Sequence, residues 1–128
     1  MAALDILLVD DDADFADLAA EVFERDGHRV FIVADGASAL PMASAVRPHV
    51  VVLDLRLPDA DGREIARVLR RQLPVSTAII VITALPQTSH TDDVDVMVSK
   101  PAVLELFGGL VEYVHRCGRR ATEEGASR

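Results

Sequence analysis

Acidic residues directly follow two strongly apolar stretches of this sequence. Asp10 and Asp11 follow one, in LLVDDD, and Asp54 ends the other, in VVVLDLRLPDADG. Carboxylates held a few ångströms apart repel one another strongly in a cleft with little water, so such a cluster needs a cation. Mg²⁺ prefers oxygen ligands and often binds through few carboxylates together with phosphate oxygens. If the fold brings these acids together, they predict a magnesium site.

The acids of LLVDDDAD also have a simpler explanation. Acidic residues are favoured at the start of a helix, where they cap free N–H groups and face the positive end of the helix dipole. We expect this structural role for Asp12 and Asp14, and we favour the metal role for Asp10 and Asp11.

A hydroxyl and an ammonium group follow two further apolar stretches. Thr83 ends AIIVIT, and Lys100 follows VMVS. Alone, each has an ordinary explanation, as a β-branched strand residue or as a surface charge. Together with a nucleophilic carboxylate at Asp54 and a metal site, they indicate phosphoryl transfer, in which positioning and charge neutralisation provide the catalysis.

Five segments have the length and the β-branched composition of strands buried on both faces of a parallel sheet, the last more weakly than the others. They span residues 4–9, 30–33, 50–53, 78–83 and 94–99.

The segments between these strands are mostly helical in pattern. In the first, apolar residues recur at helical spacing and the helix is predicted to stop at Asp26-Gly27. The residues of this apolar face are Phe15, Leu18, Ala19, Val22 and Phe23.

A second helix is predicted over residues 37–46 despite Pro41, and a third between residues 61 and 74, with Ile65, Val68 and Leu69 on one face. A last helical period follows Pro101. Alternation of strands and helices predicts a doubly wound α/β domain, in which ligands bind at the carboxyl ends of the strands. The candidate residues all follow strands and therefore belong at that edge.

Size and composition restrict the class of protein. The 128 residues, half of them hydrophobic, fit one domain with one core. We expect this domain to span residues 1–118, with a polar tail at 119–128. The net charge of −8 disfavours binding to nucleic acid or to anionic membranes. A single cysteine and the lack of an apolar stretch of membrane length suggest a cytoplasmic protein. The four histidines show no metal spacing, so we expect them at the surface or at strand edges.

The motifs LLVDDD, VVLDLRLPDADG, VITA and SKP resemble the receiver domain of two-component response regulators, over residues 4–117. The resemblance implies a flavodoxin-like, five-stranded parallel sheet of order 2-1-3-4-5 with helices on both faces. It implies that Asp54 is the phosphoacceptor, that Thr83 is the switch hydroxyl and that Lys100 binds the phosphoryl group. The implied Mg²⁺ ligands are Asp10, Asp11, Asp54 and the backbone carbonyl of Arg56.

The same resemblance implies partners and output. A histidine kinase or a histidine phosphotransfer protein would supply the phosphoryl group, and the chain would signal through an unidentified downstream protein. Chemistry would be limited to self-catalysed phosphorylation and dephosphorylation of Asp54, without an enzyme activity on other substrates. The chain could also be the receiver of a longer regulator.

Two features depart from the receiver pattern. Met97 occupies the position, three residues before Lys100, at which receivers usually carry Tyr or Phe. The segment over residues 84–94 has no apolar helical period and contains Pro86, so the fourth helix is predicted to be short or missing. These departures leave open an atypical pseudo-receiver that binds partners without phosphorylation.

Two enzyme or carrier classes fit less well. A haloacid-dehalogenase-like phosphatase also uses an aspartate at a strand end, but it needs a second acid two residues later, where this chain has Arg56. A flavodoxin-like FMN carrier needs phosphate-binding donors in the first strand–helix loop, where this chain has acids.

Overall fold

The computed structural model describes residues 3–84 and 96–100. Five strands and three helices alternate through most of these residues. The strands are β1 (Asp5–Val9), β2 (Arg29–Val33), β3 (Val50–Asp54), β4 (Ala78–Thr83) and β5 (Val96–Ser99). The helices are α1 (Ala13–Arg25), α2 (Gly36–Val46) and α3 (Gly62–Gln72).

All five strands form one parallel sheet in the order β2-β1-β3-β4-β5. This is the predicted doubly wound order, and the predicted fold class is confirmed. Since every strand runs in the same direction, the residues that follow the strands meet along one edge. The predictions of a short or missing fourth helix and of a helix after Pro101 concern segments outside the described residues.

Two cores lie on opposite faces of the sheet, because successive side chains of a strand point to opposite faces. On one face, α1 packs Phe15, Ala19 and Phe23 against residues such as Ile6 and Val52. On the other face, α2 and α3 pack against the alternate strand residues. The strand residues of this second core include Leu7, Val9, Val51, Leu53, Ile79 and Val81. β1, β3 and β4 are therefore covered on both sides, as their apolar sequences predicted.

The helix faces are narrower than the apolar periods suggested. Leu18 and Val68 were expected on the buried faces of α1 and α3, but half of Leu18 and 43% of Val68 are exposed. Besides Phe15 and Phe23, the buried residues of α1 are the small Ala16, Ala19 and Ala20, which let the helix approach the sheet closely. The predictions for Leu18 and Val68 are therefore wrong, because a close approach leaves room for few side chains on each helix.

α2 continues through Pro41 and ends at Val46, and its C-cap residue Arg47 adopts a left-handed conformation with φ 52° just before Pro48. Proline has no N–H to donate to the carbonyl one turn earlier in the helix. Because Pro41 is exposed on the helix surface, that carbonyl can face water instead. None of the described helices combines the length and apolar character that crossing a bilayer requires.

Candidate functional site

Three carboxylates converge where β1 and β3 end. The register pairs Val9 with Leu53, so Asp10 follows β1 beside Asp54. One carboxylate oxygen from each of Asp10, Asp11 and Asp54 lies within 4.8 Å of the others. Asp10 and Asp54 are buried, whereas Asp11 is exposed. The adjacency predicted from two apolar stretches is therefore present in the fold.

Asp10 is the most deeply buried of the three acids. Its side chain is fully buried, and its Oδ1 accepts a hydrogen bond of 2.9 Å from the Asp12 N–H. Burial raises the pKa of Asp10 to about 6, and the neighbouring Asp54 charge adds to the rise, against the lowering effect of the hydrogen bonds. The cause is that a carboxylate without water around it disfavours its charged form.

Lys100 lies between the acids. Its Nζ donates hydrogen bonds to Asp10 Oδ1 at 3.2 Å and to Asp54 Oδ2 at 3.3 Å, and lies 3.9 Å from Asp12 Oδ2. The same Nζ lies 4.8 Å from the centroid of the Phe15 ring. Burial alone would lower the pKa of Lys100, but Asp10 and Asp54 outweigh it and raise that pKa. Lys100 is therefore a charged ammonium group held among carboxylates and over an aromatic face.

Asp54 is held at its position by the chain that follows it. The Arg56 N–H donates to Asp54 Oδ1 at 3.1 Å. The first residue of α3, Gly62, packs so closely on the end of β3 that a Cβ added there would collide with the Asp54 carbonyl oxygen and would lie 2.8 Å from Leu55 Cα. Gly62 is required here because only a residue without Cβ allows the helix to start so near the end of β3.

The donor set fits a magnesium ion. Three carboxylates within reach of one another match the oxygen preference of this cation. Asp10 Oδ2 is buried and accepts no hydrogen bond from the described residues, although Lys100 Nζ lies 3.1 Å away. Lys100 is one cation among three carboxylates, so negative charge remains that a metal ion could compensate. The cluster is therefore compatible with Mg²⁺.

The structure places the other predicted residues at the same edge. Thr83 is buried at the end of β4, where the register pairs it with Ser99, next to Lys100. Arg56 is exposed and stands in the loop after Asp54, where its backbone forms an isolated antiparallel bridge with the backbone of Asp61. Met97 is half-buried and packs against the core under α2 and α3. A methionine there fills space in the core without the rigid ring that receivers usually carry.

Phe15 and Asp59 make contacts near the site that the sequence did not predict. Phe15 was assigned to the core of α1, and it does pack there, but its ring also faces Lys100. Asp59 binds the start of α2: the Gly36 N–H donates to its Oδ1 at 2.8 Å and the Ala37 N–H to its Oδ2 at 2.9 Å. Neither contact is local in sequence, so no spacing rule could have indicated it. Asp12 does cap α1, as predicted, since it accepts from the Phe15 N–H at 3.1 Å.

Comparison with known proteins gives consistent relatives. The chain is 38% identical over 109 residues to the DNA-binding response regulator MtrA of Mycobacterium tuberculosis, which covers 85% of this chain and 42% of MtrA. It is 34% identical over 134 aligned positions to the transcriptional regulatory protein AfsQ1 of Streptomyces coelicolor, covering 95% of this chain and 56% of AfsQ1. The chain thus spans about half the length of these relatives.

A solved structure gives the same fold. The CheY-like response regulator receiver domain protein of Methanospirillum hungatei superposes with a TM-score of 0.82, over 94% of this chain and 99% of that one, at 20% identity. In sequence, residues 6–102 match the response regulator receiver domain family. This match covers most of the 128 residues and includes every candidate site residue. The chain therefore belongs to the response regulator receiver domain family.

Proposed function

We propose that this receiver takes a phosphoryl group onto Asp54 from a histidine kinase or a histidine phosphotransfer protein. The observation that supports this most directly is the buried pair Asp10 and Asp54, joined through one lysine ammonium group. Such an arrangement is expensive for stability alone, because two carboxylates share a single cation in a buried place. It is well suited to a reaction that brings a phosphoryl group and a metal ion to the same point.

In the proposed reaction, an Asp54 carboxylate oxygen attacks the phosphorus of a phosphohistidine. The new oxygen–phosphorus bond forms as the phosphorus–nitrogen bond breaks, and the bonding electron pair stays on the imidazole nitrogen. The Arg56 N–H holds the carboxylate in orientation through Oδ1. Lys100 Nζ, already 3.3 Å from Asp54 Oδ2, is near enough to neutralise charge on the incoming phosphoryl oxygens.

Mg²⁺ would be held by the carboxylates of Asp10, Asp11 and Asp54 and by the Arg56 carbonyl. When bound, it would neutralise negative charge on the carboxylates and on the phosphoryl oxygens. Asp10 and Asp11 would then serve the reaction by holding the ion, while Lys100 remains the protein's own cation at the acceptor.

Signalling would follow from a change in affinity for another protein. Thr83 ends β4 beside Lys100, at the edge that holds Asp54, and we propose that its hydroxyl responds to the phosphoryl group. The chain spans about half of MtrA and AfsQ1, so the part that produces the output response could belong to a longer protein. We propose that this domain itself makes no direct contact with nucleic acid. With a net charge of −8, the domain would meet a protein partner more readily than a phosphate backbone.

The test is phosphorylation by a small acyl phosphate in the presence of a magnesium salt, followed by intact-mass analysis. The parent should gain one phosphoryl group, and Asp54→Ala should gain none. Asp35→Ala is a matched control, because Asp35 is another aspartate near a strand end but caps α2 instead of joining the cluster. Labelling of Asp54→Ala to the parent's extent would reject the assignment, and a parent that never labels would favour the pseudo-receiver alternative.

A further inference from the structure

The loop over residues 55–61 joins β3 to α3 and carries the backbone that contacts the acceptor. Within it, the Leu57 N–H donates to the Ala60 carbonyl at 3.1 Å, and the loop closes where the Gly62 N–H donates to the Leu55 carbonyl at 2.7 Å. Leu55 and Leu57 are buried in the core under α2 and α3. The loop is thus short and anchored on one side by apolar packing.

A second anchor joins the loop to a different part of the chain. Both carboxylate oxygens of Asp59 accept backbone hydrogen bonds from the first turn of α2, at 2.8 Å from Gly36 and 2.9 Å from Ala37. These N–H groups lack partners within the helix, as the first N–H groups of any helix do. They lower the pKa of Asp59, so the carboxylate is charged at neutral pH and faces the positive end of the helix.

The start of α2 packs closely on the loop and on α3. A Cβ at Gly36 would lie 3.3 Å from Asp59 Oδ1 and 2.8 Å from Ile65 Cδ1, on α3. A side chain at Gly36 would therefore require Ile65 or Asp59 to shift. The capping role at this helix is already filled by Asp35, whose Oδ1 accepts from the Ser38 N–H at 2.7 Å. Asp59 therefore adds a tie between elements to a helix that is already capped.

This tie lies three residues from the group that orients the acceptor. Arg56 donates its N–H to Asp54 Oδ1 and stands between the acceptor and Asp59 in the loop. A displacement of the middle of the loop would move the Arg56 peptide, and with it the hydrogen bond to Asp54. Small displacements near a reacting group reduce rates strongly, because they lower the fraction of molecules in the reactive geometry.

We propose that Asp59 is a positioning residue, which clasps the β3–α3 loop to the start of α2 and so holds the Arg56 peptide against the Asp54 carboxylate. This inference rests on the proposed function of Asp54. The competing account is that Leu55 and Leu57 hold the loop without help and that Asp59 only stabilises α2.

A comparison of Asp59→Ala with Asp35→Ala distinguishes the two accounts. Each variant removes carboxylate hydrogen bonds at the first turn of α2, so each weakens the same helix. Only Asp59→Ala releases the loop. Amide hydrogen exchange at Arg56 and Leu57 in the metal-free protein measures the local opening of the loop. The rate of phosphorylation by a small acyl phosphate measures the effect of that opening on Asp54.

We expect exchange at Arg56 and Leu57 to accelerate roughly fivefold or more in Asp59→Ala and to stay at the parent's value in Asp35→Ala. Phosphorylation should slow roughly three- to tenfold in Asp59→Ala alone. Asp59→Asn should fall between Asp59→Ala and the parent, because its amide keeps one acceptor oxygen.

Equal behaviour of Asp59→Ala and Asp35→Ala in both measurements would overturn the inference and support the apolar anchors. Unchanged exchange with slower phosphorylation would also overturn it, since the loop would then be held without Asp59. If the parent gains no phosphoryl group, the proposed function fails, while the exchange comparison still decides whether Asp59 holds the Arg56 peptide.

Discussion

Both ends of β1 bring an aspartate to a cation that lies over a phenylalanine ring. At the amino end, Asp5 pairs with Arg29, whose guanidinium carbon lies 5.7 Å from the centroid of Phe31. At the carboxyl end, Asp10 pairs with Lys100, whose Nζ lies 4.8 Å from the centroid of Phe15. The chemical groups at the two ends are almost the same, but their electrostatics are opposite.

The amino end is balanced and open to water. Arg29 donates to both oxygens of Asp5, at 2.8 and 3.1 Å, and most of the arginine side chain is exposed. The hydrogen bond from Arg29 lowers the pKa of Asp5. Two histidines complete this end: the Leu4 N–H donates to His28 Nδ1 at 3.0 Å, and the Asp5 N–H donates to His49 Nδ1 at 2.9 Å.

The carboxyl end is neither balanced nor open. One lysine serves two buried acids, and the exposed Asp11 adds a third negative charge nearby. Burial raises the pKa of Asp10 where the arginine pair lowers that of Asp5. The comparison shows that burial and the ratio of acids to bases decide the electrostatics of a site, whereas the residue types alone do not.

Replacement of Lys100 or Arg29 by methionine should give the largest difference in stability and phosphorylation between the two ends of β1. Lys100→Met leaves two buried carboxylates without a cation, so we expect a loss of about 2 kcal/mol in the free energy of unfolding. Phosphorylation of Asp54 should slow by about 100-fold, because the charge beside the acceptor is gone. Arg29→Met should lower the free energy of unfolding much less than Lys100→Met does and leave phosphorylation unchanged, since the pair that it breaks is exposed.

Denaturant titration in the presence of a chelator gives the stabilities, and mass analysis gives the rates. Methionine keeps most of the apolar stem of both side chains, so packing changes little. Equal losses of stability at the two positions would contradict the contrast, as would normal phosphorylation of Lys100→Met.

Neutralisation of Asp5, the first residue of β1, and of Asp10, the residue that follows β1, should change the free energy of unfolding in opposite directions. In metal-free protein at neutral pH, Asp10→Asn should raise the free energy of unfolding by about 1–2 kcal/mol, because it removes a buried charge and its repulsion with Asp54. Asp5→Asn should lower it by less than about 1 kcal/mol, because it breaks an exposed pair. Asp11→Asn should stabilise less than Asp10→Asn, since Asp11 is exposed.

Thermal unfolding with chelator measures the effect of each substitution on the metal-free protein, and thermal unfolding with excess magnesium salt measures the added stabilisation by the ion. Magnesium should stabilise the parent more than Asp10→Asn, because an ion that binds only the folded state adds to its stability. If metal-free Asp10→Asn melts below the metal-free parent, the prediction is wrong. The hydrogen bonds that the Asp10 carboxylate accepts would then stabilise the fold more than its buried charge destabilises it.

The sequence predicts the carboxyl end well because its information is local. Each of Asp10, Asp54, Thr83 and Lys100 follows an apolar run, and parallel strands bring such positions to one edge. Strand bounds followed from the same runs to within a residue or two, as for β4 over Ala78–Thr83. Domain limits and the predicted roles of the site residues stay predictions.

The sequence did not predict what depends on contacts between distant segments. His28 was expected at the surface or at a strand edge; it directly precedes β2, but it is buried and accepts from the Leu4 N–H just before β1. The tie from Asp59 to α2 and the position of Phe15 below Lys100 join residues more than 20 positions apart. Leu18 and Val68 fit a helical period, yet the close packing of α1 and α3 leaves them outside. In each case the backbone path, which no local pattern contains, decides the contact.

The smallest expected effect is the pH dependence of the pair at the amino end. The pKa of Asp5 is lowered from 3.8 in the folded chain, so the folded state binds the proton less readily than the unfolded state. The stabilisation by the pair is therefore fully present above pH 3.8 and is lost as the pH falls through the lowered value. A double-mutant cycle of Asp5→Asn and Arg29→Met should give a small favourable coupling at pH 7 that decreases at pH 3 and in high salt. The cycle subtracts the acid sensitivity of the rest of the protein, because all four proteins share it. A coupling that stays constant from pH 7 to pH 3 would mean that packing over Phe31, and not charge, joins the two side chains.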